Sequence, residues 1–130
     1  MLTHAENDML TRVGPGQPAG ELLRRYWVPV AVASELTVEK PTQVVRVLGE
    51  TLALFRNKKG EVGLIDDRCA HRGASLSYGR VEERGLACPY HGWLYDAEGT
   101  CLETPAEPAQ SKFYLSVKQK AYPVQKLVGL

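Results

Sequence analysis

The sequence predicts an all-β fold, in which one antiparallel domain carries a short helix near its N-terminus. Three observations favour this class. Apolar and β-branched residues form short runs, glycine-containing turns separate these runs, and strands do not alternate with helices as a parallel sheet would require. A chain of 130 residues is long enough for one domain with a modest core.

The N-terminal part predicts an arm followed by a short helix. Residues 1–17 read as an irregular arm that ends at the breaker Gly14-Pro15-Gly16. Proline suits the first turn of a helix, so we expect a helix to begin at Pro18, continue to Trp27 and end before Pro29. Its apolar residues fall at helical spacing and predict a packed face: Leu22, Leu23, Tyr26 and Trp27.

The following runs predict short antiparallel strands. Gly49-Glu50 is expected to form a two-residue hairpin turn, residues 57–60 a second turn and residues 96–99 a third. Pro123 confines the last strand to a sheet edge or end. The predicted strands and β-compatible runs are residues 28–33, 43–48, 51–55, 62–65, 85–87, 93–95, 113–117 and 121–124.

Two Cys/His pairs form the densest chemical motif of the chain. Cys69 and His71 are two positions apart, Cys88 and His91 are three apart, and residues 72–87 separate the pairs. Thiolates and imidazoles suit zinc or an iron–sulfur cluster with mixed ligation. A zinc finger usually supplies two cysteines from one arm, whereas each arm here supplies one cysteine and one histidine. We therefore favour a cluster with both thiolates on one iron and both imidazoles on the other; zinc in the same loops remains the alternative.

Both pairs lie in loops between predicted strands. The run 62–65 leads into the first loop, residues 66–77, and short runs flank the second. The two arms are therefore expected to be hairpin tips that face each other. They define a cluster-binding subdomain, residues 66–95, inserted into the single domain of residues 1–130.

The motifs resemble the Rieske [2Fe–2S] signature, as found in the N-terminal domain of ring-hydroxylating oxygenase large (alpha) subunits. The resemblance spans residues 15–130 and is carried by Cys69-Ala70-His71-Arg72-Gly73, Cys88-Pro89-Tyr90-His91-Gly92-Trp93 and the lead-in at residues 23–30. Residues 103–108 resemble the phthalate dioxygenase and vanillate demethylase branch. The resemblance implies a Rieske-type β-sandwich and one [2Fe–2S] cluster, with the ligands Cys69, His71, Cys88 and His91.

Six residues beside the ligands are expected to support the cluster. The glycines allow tight bends that present N–H groups to sulfide, and the proline stiffens the second loop. The two aromatic residues are expected to shield the cluster from water. The arginine is either a docking charge for a partner or a solvated side chain. The six residues are Arg72, Gly73, Pro89, Tyr90, Gly92 and Trp93.

The resemblance also implies a low-potential cluster. Respiratory Rieske proteins link the two loops by a disulfide, but Ala74 and Tyr90 stand at the matching positions here. High-potential members place a hydroxyl where this chain has Trp93. Fewer hydrogen bonds to the sulfurs favour the oxidised cluster.

The family's oxygenases pass electrons from this cluster to a mononuclear iron in a C-terminal domain, where aromatic compounds are hydroxylated or demethylated. That iron needs two histidines and one carboxylate. Apart from the two candidate ligands, the sequence contains only His4. We therefore expect these residues to supply the electron-transfer part of an oxidoreductase, and we assign no catalytic residue. The apolar run 127–130 favours a strand that continues beyond the given sequence.

Three hypotheses remain. The leading one is the Rieske domain of an oxygenase that receives electrons from a reductase and gives them to a catalytic domain or a neighbouring subunit, within a homotrimer at full length. The second is a stand-alone Rieske-type ferredoxin between a reductase and an oxygenase. The third is a zinc module with a scaffold role.

The composition and charge of the chain indicate which kinds of partner and which cellular compartment to expect. The net charge of +1 and the scattered basic residues give no support for a nucleic-acid partner. The sequence has no apolar run of the roughly 20 residues needed to span a membrane and no secretion signal, so a cytoplasmic protein is expected. Cys101 is predicted to be a free thiol that packs as a small apolar side chain.

Overall fold

The computed structural model describes residues 1–129, and Leu130 lies outside them. It contains two antiparallel four-stranded sheets, ordered β1-β2-β3-β8 and β4-β5-β6-β7, which confirms the all-β prediction. The helices are α1 (His4–Thr11) and α2 (Pro18–Leu23). The strands are β1 (Thr42–Val47), β2 (Glu50–Arg56), β3 (Val62–Asp66), β4 (Arg80–Val81), β5 (Leu86–Ala87), β6 (Leu94–Tyr95), β7 (Cys101–Glu103) and β8 (Ala121–Tyr122).

Strand β2 is buried on both of its faces. Successive side chains of a strand point to opposite sides, so Ala53 and Phe55 enter one core while Leu52 and Leu54 enter another. This explains why its sequence is a continuous apolar run without polar alternation. The second core contains Leu36, Val45, Leu52, Leu54 and Leu64.

The first core, with ten buried residues, takes side chains from both sheets and from both Cys/His loops. Because it includes Cys69 and Cys88, the packing that joins the sheets also brings the loops together. Its members are Ala53, Phe55, Ile65, Cys69, Leu76, Leu86, Cys88, Trp93, Tyr95 and Cys101.

The second sheet is an insertion within the first. Strand β8 pairs with β3 through Leu64↔Tyr122 and Ile65↔Ala121, so the residues between these strands leave the first sheet and return to it. The second sheet extends past residue 95, the boundary expected from the sequence, because β6 pairs with β7. Strand β8 lies at a sheet edge, as the following Pro123 predicts.

The β1–β2 turn lies one residue earlier than predicted. Val47 pairs with Glu50, so the two turn residues are Leu48 and Gly49 instead of Gly49-Glu50. Their φ angles are 48° and 76°. Two positive φ values define a type I′ turn, which fits the twist of an antiparallel hairpin.

The N-terminal arm is not irregular as predicted, because residues 4–11 form α1. Thr3 caps this helix: its hydroxyl accepts a hydrogen bond from the Glu6 N–H, and the Glu6 carboxylate accepts one from the Thr3 N–H. This reciprocal capping box is readable in the sequence as Thr-x-x-Glu. Neither helix of residues 1–129 is long and apolar enough to cross a membrane.

Helix α2 begins at Pro18 as predicted but ends at Leu23, and its predicted packed face is wrong. The four apolar residues Leu22, Leu23, Tyr26 and Trp27 are exposed. The buried contact of the helix is instead at Gly20, where a Cβ would lie 2.2 Å from the Val13 carbonyl oxygen. The helical spacing predicted a packed apolar face, but within residues 1–129 nothing covers these side chains.

Three further runs differ from their predicted strands. Residues 113–117 contain a 3-10 helix, Phe113–Ser116, in place of a strand. Residues 28–33 do not form a strand, although Val30 packs against the second core. In the run 127–130, residues 128–129 form a turn, and Leu130 lies outside the described residues.

A charged cluster ties the end of α2 to the β1–β2 hairpin and to the edge strand β8. Arg24 Nη1 lies 2.5 Å from Glu50 Oε2, and Arg24 Nη2 donates to the Leu48 carbonyl at 2.8 Å. The Tyr122 hydroxyl donates to Glu50 Oε2 at 2.6 Å, and Lys120 pairs with the other carboxylate oxygen. Burial acts to raise the pKa of Glu50, but the hydrogen bonds from Lys120, Tyr122 and Arg24 outweigh it and lower the pKa to about 2.

We predict that Glu50→Gln destabilises the protein in a pH-dependent way. The folded-state pKa lies below its ordinary value of 4.5, so the carboxylate contributes stability above pH 4.5 that is lost as the pH falls towards 2. The variant should lose up to about 3 kcal/mol of unfolding free energy at pH 7. Urea unfolding from pH 7 to pH 2 measures the difference from the wild type.

The matched control is Glu103→Gln, because Glu103 forms an ion pair with Arg84 in which both side chains are about half exposed. Exposed ion pairs contribute roughly 0–1 kcal/mol, so this variant should unfold nearly as the wild type does. A Glu50→Gln deficit that stays constant between pH 7 and pH 2 would contradict the linkage.

Candidate metal centre

The first Cys/His loop closes on Cys69 through the main chain. The Cys69 N–H donates to the Ala74 carbonyl at 2.9 Å, and the Gly73 N–H donates to the Cys69 carbonyl at 2.8 Å. Gly73 has a φ of 73°, which glycine adopts without the strain a side chain would add. Both backbone groups of Cys69 are therefore held within its own loop.

The second loop repeats this pattern at the same offsets. The Cys88 N–H donates to the Trp93 carbonyl at 2.8 Å, and the Gly92 N–H donates to the Cys88 carbonyl at 3.1 Å. Gly92 has a φ of 75°. Each cysteine is thus followed four residues later by a glycine in the left-handed region, although the histidine offsets differ.

This pattern confirms the tight bends predicted at the two glycines but corrects their hydrogen bonds. From the sequence we expected the N–H groups of Gly73 and Gly92 to face sulfide. Both groups instead donate to cysteine carbonyls, because these bonds close the loops.

The two loop cysteines lie next to each other inside the first core. Cys69 is 4% exposed and Cys88 is 5% exposed, and neither forms a disulfide. Burial raises the pKa of Cys88, and the neighbouring Cys69 thiol adds to this, while backbone N–H groups of Tyr90 and His91 oppose it. Two buried neighbouring thiols become thiolates when a cation replaces their protons.

The two histidines of the motifs meet at their Nδ1 atoms. These atoms lie 3.1 Å apart, with the ring centroids at 4.7 Å. Two imidazole nitrogens that bind one ion at about 2.0–2.1 Å with near-tetrahedral angles lie roughly 3.3 Å apart. His71 is exposed and His91 is partly buried, so this pair lies at the surface above the buried thiols.

The four donors form two pairs. Within residues 1–129, no three His, Cys, Asp or Glu side chains group around a single point. A binuclear cluster with two thiolates on one iron and two imidazoles on the other needs two such pairs. The donor set and its division therefore fit a [2Fe–2S] cluster.

Aromatic rings hold the two imidazoles. The buried Trp93 stacks on His71, with ring centroids 4.4 Å apart and planes 15° apart, and Phe113 makes an edge contact with Trp93 at a centroid distance of 5.8 Å. Tyr90 lies over His91 at 3.8 Å but is itself 62% exposed. Trp93 can therefore exclude water, whereas Tyr90 covers one face of His91 and remains in solvent.

The other supporting residues lie on the outside of the loops. Arg72 and Pro89 are exposed. Arg72 directly follows His71, so an exposed charged residue adjoins this histidine in the chain.

Tyr95 is a further residue of the site that was not among the supporting residues predicted from the sequence. The Tyr95 hydroxyl lies 3.3 Å from Cys69 Sγ in the buried core. Burial raises the pKa of Tyr95, so the hydroxyl keeps its proton and is the donor once Cys69 is a thiolate. A signal was present: the run 93–95 predicts a strand that leaves the second loop, and Trp93 and Tyr95 are two positions apart in it, so they are expected on one face.

Asp67 was also missed, and it shapes the first loop. Its buried carboxylate accepts hydrogen bonds from the Ser75 hydroxyl at 2.8 Å and the Ser77 N–H at 2.9 Å. Its carbonyl accepts one from the Leu76 N–H at 2.7 Å. Asp67 therefore joins the two ends of the loop.

Cys101 is the third free thiol and lies in the first core, as predicted for a small apolar side chain. Burial raises its pKa to about 11. It stays neutral near pH 7 and donates weakly to the Glu103 carbonyl at 3.6 Å.

Comparison with known proteins agrees with this geometry. The Rieske [2Fe–2S] domain family matches residues 26–123. The chain is 48% identical to the 5,5'-dehydrodivanillate O-demethylase oxygenase subunit of Sphingobium sp. (strain NBRC 103272 / SYK-6), over 100% of this chain and 31% of the relative. It is 43% identical to the phthalate 4,5-dioxygenase oxygenase subunit of Pseudomonas putida, over 99% of this chain and 30% of the relative.

A solved structure shows the same fold. NdmA of Pseudomonas putida CBB5 superposes with a TM-score of 0.72 at 36% sequence identity, over 84% of this chain and 34% of that chain. The chain belongs to the Rieske [2Fe–2S] domain family and matches the Rieske domains of ring-hydroxylating oxygenase alpha subunits, as its motifs predict. It spans about a third of the length of the curated relatives it matches.

We predict that Tyr95→Phe lowers the reduction potential of a cluster bound here. The hydroxyl near Cys69 Sγ stabilises the added negative charge of the reduced state, and the variant removes only this oxygen. A hydrogen bond of roughly 0.5–1.5 kcal/mol corresponds to about 20–60 mV for one electron. Redox titration followed by EPR measures the shift.

Tyr78→Phe is the control, because Tyr78 is exposed. Equal reduction potentials in Tyr95→Phe and the wild type would contradict the role of the hydroxyl.

Proposed function

We propose that the chain transfers single electrons through a low-potential Rieske [2Fe–2S] cluster that feeds the mononuclear iron of an aromatic-ring oxygenase. Cys69 and Cys88 would hold one iron, and His71 and His91 the other. When bound, such a cluster accepts and releases one electron. The observation that carries the proposal is the surface pair of Nδ1 atoms, 3.1 Å apart, above two buried neighbouring thiols.

The histidine side of the site is the proposed route for electrons. The thiols are buried, while His71 is exposed and keeps its second ring nitrogen, Nε2, outside the Nδ1 contact. Nε2 can hold a proton or donate it to a hydrogen-bond acceptor on a partner. Two exposed apolar side chains lie close by and suit a docking surface: Tyr90 lies over the His91 ring, and Phe113 packs against Trp93, which stacks on His71.

The oxygenase assignment rests on the relatives. They are named as oxygenase subunits of a demethylase and a dioxygenase, and the chain matches about a third of each. We propose that the remaining part of such a protein carries the mononuclear iron and the aromatic-substrate site, that a reductase supplies electrons, and that the assembly is a homotrimer. We propose the cytoplasm as the compartment, since Cys101, the cysteine outside the proposed ligand set, is a free thiol, which suits a reducing environment.

A stand-alone ferredoxin is less favoured. Three large apolar side chains that are close to one another in the chain are exposed: Leu22, Tyr26 and Trp27. Exposed apolar surface of this kind indicates contact with further protein. A domain that packs against an oxygenase domain or subunit would cover it, which supports the oxygenase assignment.

Spectroscopy of the protein purified without oxygen tests the cluster. We expect two irons and two sulfides per chain, visible absorbance, and a Rieske-type EPR signal after reduction. His91→Ala should lose the signal because it removes one of the four donors. His4→Ala is the matched control, since His4 is exposed and lies in α1. A colourless wild-type protein loaded with zinc would contradict the proposal.

The coding sequence beyond the codon for Leu130 distinguishes the oxygenase domain from the stand-alone ferredoxin. We expect an open frame that encodes two histidines and one carboxylate able to bind a mononuclear iron. A stop codon directly after Leu130 in an intact gene would instead favour the stand-alone ferredoxin.

A further inference from the structure

Gln119 places a buried amide against the first Cys/His loop. The residue is 2% exposed. Its Nε2 donates to the Asp66 carbonyl at 2.9 Å and to the Arg68 carbonyl at 2.6 Å. Its Oε1 accepts a hydrogen bond from the Ala70 N–H at 3.0 Å. Both amide hydrogens and the carbonyl oxygen therefore have partners, all on one short stretch of main chain.

These partners lie on both sides of Cys69. The Arg68 carbonyl belongs to the peptide that precedes Cys69, and the Ala70 N–H belongs to the peptide between Cys69 and Ala70. The N–H and carbonyl of Cys69 are held within the loop itself. The orientation of the main chain from Arg68 to Ala70 is consequently fixed, and with it the direction in which the Cys69 side chain leaves the backbone.

The main chain of Gln119 is also fixed. The Gln119 N–H donates to the Gly99 carbonyl at 2.7 Å. Gly99 has a φ of 79°, and a Cβ there would lie 2.1 Å from the Gln119 carbonyl oxygen, so this contact needs glycine. Two residues later, Ala121 pairs with Ile65 in the first sheet. Gln119 thus connects the first loop to the turn before β7 and to β8.

We infer that Gln119 is a positioning residue for the iron site: it fixes the segment of Cys69 and His71 so that both donors face the second loop. The inference rests on the proposed function. Groups that orient ligands without binding the metal themselves affect how well the metal is held. A purely structural amide would contribute to folding but would leave the bound cluster unchanged.

Asn57 provides a matched control for a structural role. It is 3% exposed and, like Gln119, its amide makes three hydrogen bonds. Its partners are the N–H groups of Lys59 and Glu61 and the Glu61 carboxylate, all in the β2–β3 turn. This turn is at the opposite end of β3 from the first Cys/His loop.

The experiment compares Gln119→Met with Asn57→Leu in the cluster-loaded protein. Each change keeps the approximate length of the side chain and removes its amide. We expect both variants to melt at lower temperature than the wild type. At a temperature where all three are folded, only Gln119→Met should release iron to a chelator faster, by roughly 10–100-fold. It should also shift the EPR g-values, which a loss of folding stability alone does not change.

Gln119→Asn keeps the test decisive if Gln119→Met does not fold. It retains the amide but withdraws it by one methylene, so we expect faster iron release and shifted g-values of the same kind but smaller size. Iron release and g-values in the Gln119 variants equal to those of Asn57→Leu would overturn the positioning role and leave the proposed function intact. A wild-type protein without a Rieske signal would overturn the proposed function and the inference with it.

Discussion

The closed main-chain turn after each loop cysteine is the constraint on which the rest of the structure depends. Because the N–H and carbonyl of Cys69 and Cys88 are used inside their own loops, the thiols are free to enter the core that joins the two sheets. The glycines four residues on, Gly73 and Gly92, adopt a left-handed conformation that would cost roughly 1–2 kcal/mol for another residue. Two equivalent turns therefore deliver two thiols to one place.

Burial then divides the donors into two chemical environments. The thiols lie in the core, where a charged form is disfavoured, and the raised pKa of Cys88 shows this effect, which a bound cation would offset. The imidazoles lie at the surface and need no such compensation. The site thus has a protected side, which suits the holding of metal, and an exposed side, which suits the partner contact proposed above; Trp93 lies between them and stacks on His71 from within the core.

Local signals in the sequence predicted most of the fold, and long-range contacts account for what was missed. Short sequence patterns predict the strands near residues 43–65 and the Cys/His motif. The structure brings the motif side chains together as two pairs, the two histidines and the two cysteines. The contacts of Tyr95 and Gln119 with the first loop join residues 26 and 49 positions apart, so a local pattern can indicate which face a side chain is on but not which residue it contacts. The prediction of a packed face on α2 was wrong for a related reason: residue spacing defines an apolar face but does not say what covers that face.

The hydrogen bonds around the sulfurs support the low potential proposed for this centre. The N–H groups of Gly73 and Gly92 are committed to cysteine carbonyls, and the Ala70 N–H is committed to Gln119, so none of the three donates to a sulfur. The donors that the structure directs at cysteine sulfur are the Tyr95 hydroxyl on Cys69 and two backbone N–H groups on Cys88. Because each such bond stabilises the reduced cluster, a loop that uses its amides to close itself leaves fewer of them to raise the potential. We therefore expect the loop closure that positions the thiols also to favour the oxidised state of a bound cluster.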